Sequence, residues 1–187
     1  MKNILPVTKA VTKVAEVIHW AGAALMLALS VCSVAAPGWI QKLLNTGVLQ
    51  IGGNELNVYG FELTIPMVGN TADLRGLLLF GICGVIVSCL VAMIFRNLNL
   101  IVKKAENSTP FQPDTVRMVR EIGIFAIAIP VVGLIMSVIC GLVLGSAGLP
   151  AEITVRMEGV IWGIVVLCLT QFFVHGAKLE EDVDGLV

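Results

Sequence analysis

Four long apolar stretches alternate with shorter polar ones along the chain, at approximately Val14 to Ala36, Leu74 to Phe95, Ile122 to Gly145 and Val160 to Val174. A hydrocarbon core of about 30 Å asks for roughly 20 helical residues at about 1.5 Å each. The first three stretches reach that length outright. The fourth reaches it when Arg156 and Glu158 join its outer turn and Lys178 snorkels at the other end. The pattern predicts an all-α membrane protein, a four-transmembrane-helix bundle forming a single domain over 1–187. Lys2, Lys9 and Lys13 ahead of the first stretch imitate a secretory signal. That stretch is long enough to span, however, and three more follow, so it reads as a retained helix.

The connections carry patterns of their own. Between the first two spans, 37–73 is too long for a turn. Trp39, Ile40, Leu43 and Leu44 share one helical face there, which predicts a short interfacial helix with Trp39 at headgroup level. Val48 to Ile51 and Glu55 to Ile65 read as strands flanking Gly52-Gly53-Asn54, a sequence suited to positive φ. A small extracytoplasmic cap containing a β-hairpin between helices 1 and 2 is therefore expected. In the middle connection, 96–121, the second helix is expected to run on through Lys104. Pro110 and Pro113 then break it, and Asp114 or Thr115 can cap a third helix beginning at Val116 and Arg117.

Composition agrees with the pattern: 57% of the 187 residues are hydrophobic and 13% charged, with a mean hydropathy of +0.95. Such a chain is not a soluble domain. The lipid bilayer is its first partner, and direct nucleic-acid binding is not implied. Charge distribution says more than net charge. Lysine and arginine concentrate at the N-terminus and in the middle connection (Arg96, Lys103, Lys104, Arg117, Arg120), while the other two connections hold little beyond Lys42 and Arg156. The positive-inside rule then predicts a multi-pass protein of the bacterial inner membrane with both termini cytoplasmic.

Candidate chemistry is sparse. Cys32, Cys83, Cys89, Cys140 and Cys168 all lie in apolar runs without a C-x-x-C pair, and read as small membrane-buried side chains. Gly141-x-x-x-Gly145 and Gly159-x-x-x-Gly163 permit close helix approach, either as an intramolecular hairpin or at a homodimer surface. Arg75 and Glu158 stand at the outer starts of their helices and are candidates for an outer ion pair or a ligand-sensing site. His19 and His175 invite a haem or metal reading, but no further ligands support one, and no cofactor, metal site or catalytic set is expected. The distinctive residues are cytoplasmic: Arg117 and Arg120 on one face, and the acidic tail 177–187 with Glu180, Glu181, Asp182 and Asp184. They form either a salt-bridged collar or a surface for a basic partner. A small-molecule or ion transporter is the alternative, and a haem or quinone oxidoreductase the third reading. The paired broken helices of many transporters are absent, Pro130 being the midspan proline.

Pro110-Phe111, Met118-x-Arg120-x-Ile122-Gly123 and Gly176-x-x-Leu179-x-Glu181-x-x-Asp184 give the chain a resemblance to the bacterial membrane family of domain of unknown function (DUF) 2975. The four-span layout and the sizeable first loop fit as well, so the likeness covers nearly the whole length. The family's tail usually continues from the final aspartate with Leu-Thr, whereas Gly185 and Leu186 follow Asp184 here. The resemblance implies a non-enzymatic accessory protein, often encoded beside a small helix-turn-helix regulator of the Cro/CI type. It would bind or sequester that regulator at the cytoplasmic face.

Overall fold

The computed structural model describes residues 4–45, 55–65, 67–68, 71–105, 112–148 and 152–184, with the side chains of 4, 44, 45, 67, 68, 71, 72, 180, 181, 183 and 184 outside that description. Its helices are α1 (Ile4–Ala35), α2 (Pro37–Asn45), α3 (Leu74–Lys104), α4 (Pro113–Ser146) and α5 (Glu158–Asp184). All but α2 are long and apolar enough to cross a membrane. Each outruns its apolar stretch. α1 begins at Ile4 rather than Val14, and α5 continues to Asp184, so most of the expected tail is helix. The extension of α3 through Lys104 is as expected. At the start of α4 the capping expectation is corrected. Pro113 occupies the first helical position, where its missing N–H costs nothing, and the Gln112 carbonyl accepts from the Thr115 and Val116 amides.

The strands are β1 (Glu55–Val58), β2 (Phe61–Thr64), β3 (Met67–Val68), β4 (Thr71–Ala72) and β5 (Ile153–Val155). β3 and β4 pair antiparallel with each other. The other three form one antiparallel sheet in the order β1-β2-β5. The cap between helices 1 and 2 thus borrows its third strand from the α4–α5 connection. The run Glu55 to Ile65, expected as one strand, is itself a hairpin. Val58 pairs with Phe61, which leaves Tyr59 and Gly60 as a two-residue loop at φ 47° and 86°, the signs of a type I′ turn. Gly52-Gly53-Asn54 and the strand expected at 48–51 lie outside the described residues.

The chain divides into two compact units. The strand unit comprises Ala21–Cys89 and Ile129–Met157. Its core is apolar: Ile40, Ile65 and Leu77 pack with Leu29, Cys32, Leu56 and Leu74, so that α2 turns Ile40 inward and leaves Trp39 exposed. Phe61 stacks on Phe80 with ring centroids 6.1 Å apart. Gly133 of α4 leaves the room that Val155 and Phe61 fill; a Cβ there would stand 3.2 Å from Val155 Cγ1.

The terminal unit comprises Met1–Trp20, Leu90–Ala128 and Glu158–Val187. Here α4 and α5 approach at Gly123 and Gly163. A Cβ on Gly163 would meet the Ile127 side chain and lie 2.9 Å from the Gly123 carbonyl oxygen. This corrects the expected pairing of the two G-x-x-x-G patterns. Gly141 and Gly145 are exposed, with nothing within 4 Å of a Cβ, and the partner of Gly163 is a glycine from the opposite end of α4. Gly159 lies in the first turn of α5 and is half-buried.

Candidate functional site

Polar side chains gather in the terminal unit, where α3 ends and α4 begins. Asn97 and Lys104 are seven apart on α3, Asp114 and Glu121 seven apart on α4, so each pair lies on one helix face. The two faces meet. Asn97 Nδ2 donates to Glu121 Oε2 at 3.0 Å, and Lys104 Nζ donates to Asp114 Oδ2 at 2.7 Å. Glu121 is also held by Arg117, whose Nε donates to Oε1 at 3.0 Å. The Lys104 hydrogen bond and charge hold the Asp114 carboxyl below its ordinary value. Asn97 is buried, as are Thr115 and Asn99, and the Asn99 Oδ1 has no hydrogen-bond partner.

On α1, Glu16 is buried and its Oε2 accepts from Lys13 Nζ at 3.0 Å. His19 stacks on Phe95 with centroids 5.4 Å apart and donates from Nδ1 to the Ala15 carbonyl at 2.7 Å. One of its nitrogens is thereby committed to backbone. His175 is exposed on α5. Among the described residues, no group of three or more His, Cys, Asp and Glu side chains is arranged to hold a metal ion.

The expected collar is only partly visible. Arg117 pairs with Glu121 of its own helix, Arg120 and Asp182 are exposed, and the side chains of Glu180, Glu181 and Asp184 lie outside the described residues. Pro110 and Phe111 lie outside them too. Arg75, expected to pair with Glu158, pairs with Asp73 instead. Asp73 caps α3 by accepting the Arg75 amide at 2.8 Å, which brings the guanidinium Nε to 3.8 Å of the same oxygen. Glu158 is exposed in the first turn of α5, where a carboxylate suits the helix dipole.

In the strand unit, an ion pair not anticipated from sequence joins Arg156 to Glu62 at 2.7 Å, and Asn57 Nδ2 donates to the same carboxylate oxygen. They line a shallow polar groove of about 600 Å³ on the sheet, together with Glu55, Glu152 and Thr154. The signal for the pair was the β-branched run Ile153-Thr154-Val155 ahead of Arg156, which reads as a strand. The signal for the α3–α4 contacts was the shared seven-residue spacing. No family model, no curated protein and no solved structure matches the chain.

Proposed function

We propose that this multi-pass membrane protein is a non-enzymatic sensor or accessory protein of the bacterial inner membrane. In this reading the terminal unit faces the cytoplasm, and the acidic end of α5 binds a small basic helix-turn-helix regulator. The orientation rests on the concentration of lysine and arginine in that unit. One observation carries the docking role. α5 continues as a helix to Asp184, past its apolar stretch, and ends on Glu180, Glu181, Asp182 and Asp184 with no basic residue in its last turn. Carboxylates at a helix C-terminus oppose its dipole, by about 0.3–1 kcal/mol each near the surface. A basic partner relieves that repulsion and gains an electrostatically steered encounter. The resemblance carried by Met118-x-Arg120-x-Ile122-Gly123 and Gly176-x-x-Leu179-x-Glu181-x-x-Asp184 supports a regulator as the partner.

The test is affinity purification of the full chain from native membranes in mild detergent. A small basic DNA-binding protein is expected to co-purify with the wild type and to be lost from Glu180→Lys/Glu181→Lys/Asp182→Lys. Equal recovery from both would overturn the reading.

A further inference from the structure

The contacts that join α3 to α4 also fix what each helix turns sideways. Asn97–Glu121 and Lys104–Asp114 make the helices run antiparallel, with residues 97 and 104 of one facing 121 and 114 of the other. A residue one position earlier lies 100° round its helix. For two antiparallel helices of the same hand, related by a twofold axis across their contact, equal offsets from the facing stripe turn to the same flank. Arg96 and Lys103 precede Asn97 and Lys104, and Arg120 precedes Glu121. All three cations therefore lie on one flank of the α3–α4 pair. Arg96 and Arg120 differ in level by about 3 Å, and Lys103 stands about 10 Å further along α3.

Among the described residues these three cations differ from three others of their unit. Lys13, Lys104 and Arg117 each have a carboxylate within 3.0 Å. Arg96, Lys103 and Arg120 are exposed and, among the described residues, meet none. The nearby Glu121 and Asp114 are already taken by Arg117 and Lys104. Depth matters as well. Arg96 follows Phe95 at the end of one apolar stretch, and Arg120 stands just ahead of Ile122 at the start of the next, the level at which headgroup phosphates lie. One turn into the span, Met93 and Ile124 sit on the same helix faces as Arg96 and Arg120, and both are exposed apolar side chains.

We infer that this flank is a binding site for an anionic phospholipid. The Arg96 and Arg120 guanidinium groups take the phosphodiester through charge-assisted hydrogen bonds. Lys103 faces the rest of the headgroup, and an acyl chain lies along Met93 and Ile124. This site uses none of the α5 carboxylates and stands or falls separately from the regulator reading.

The experiment uses the full chain in nanodiscs of phosphatidylcholine with a minor share of phosphatidylglycerol. The chain is then transferred to mild detergent, and the co-retained lipid is counted by native mass spectrometry. The wild type is expected to retain phosphatidylglycerol in preference to phosphatidylcholine. Arg96→Gln/Arg120→Gln should lower that preference roughly thirtyfold, at about fivefold for each cation near an anionic surface. Arg96→Lys/Arg120→Lys should restore much of it, and the charge-matched pair Lys42→Gln/Arg75→Gln should leave it unchanged. Equal retention by the wild type and Arg96→Gln/Arg120→Gln would overturn the site, as would equal losses from both glutamine pairs. Displacement of the lipid by excess inorganic phosphate would overturn its assignment to a lipid.

Discussion

Where the strand unit closes over Ile40, Phe61, Leu63 and Leu77, the terminal unit closes over Thr12, Glu16, Asn97, Asn99 and Thr115. α1, α3 and α4 run through both, yet the strand unit buries mainly apolar side chains, with Ser30, Ser33 and Ser88 beside them, whereas the terminal unit buries these polar ones beside Val91, Ala92 and Ile122. Lipid tails are as apolar as leucine, so an apolar helix face by itself does not choose a protein neighbour over lipid. Each unit answers this differently. The strand unit supplies a sheet whose inward face is a large, shaped apolar partner for α3 and α4. The terminal unit uses a glycine crossing between α4 and α5 and polar pairs between α3 and α4, interactions that lipid does not imitate.

Removal of the central aromatic of the strand unit should have the largest effect. Phe61 is 2% exposed, stacked on Phe80 and seated over Gly133. Phe61→Ala is expected to cost about 3–5 kcal/mol, as for other buried phenylalanines. Reversible unfolding in mixed micelles measures it, and a loss under 1 kcal/mol would deny that unit a soluble-type core.

In the terminal unit the comparable lesion is Gly163→Leu. Its new side chain has to displace Ile127 or the Gly123 backbone, at about 1–3 kcal/mol for overpacking. Gly141→Leu, a change of the same size on α4 with nothing nearby, should fall within about 0.5 kcal/mol of the wild type. Equal effects of the two would show that close approach at Gly163 does not hold the unit together.

Polar burial gives a pair of opposite sign. Asn97 serves Glu121, so Asn97→Leu puts an apolar side chain opposite a half-buried carboxylate oxygen and removes its donor, at about 1–3 kcal/mol. Asn99 is 3% exposed with an unpartnered Oδ1, so Asn99→Leu removes an unsatisfied acceptor and should be neutral or stabilising by about 1 kcal/mol. Two destabilising results would mean that Asn99 has a ligand in the membrane.

Why the two units differed in legibility follows from the range of their interactions. Helical spans announce themselves locally, through apolar runs of sufficient length, and the ends of α3 and α4 through Lys104 and the prolines. The sheet was half legible. Glu55 to Ile65 signalled strand, but a turn at Tyr59-Gly60 falls within that run, where a single glycine after a tyrosine is a weaker turn signal than a glycine pair. β5 arrives from far along the chain, and three residues are too few for periodicity to register. Long-range pairing also misled at the charges. Arg75 and Glu158 were matched by supposed depth, whereas Asp73, two residues away, was the nearer partner and a good helix cap. The α3–α4 contacts were legible only as two equal seven-residue spacings, a coincidence until the helices are known to run side by side.

The smallest expected effect concerns the water-facing end of that helix pair. Lys104 holds Asp114 by a hydrogen bond and by charge, and its carboxyl titrates below the ordinary aspartate value of about 3.9. A carboxylate whose folded value is depressed stabilises the fold at pH above the unfolded value and loses that contribution as the pH falls through the folded one. The clasp should therefore be at full strength from neutral pH down to about pH 5 and should fail below about pH 4. Asp114 is exposed, so the change is a slight fall in the melting temperature, diminished further by salt that screens surface pairs. Asp114→Asn should begin slightly less stable at pH 7 and show a shallower decline between pH 5 and pH 3. If its decline instead matches the wild type's, the Lys104–Asp114 clasp is not what acid opens.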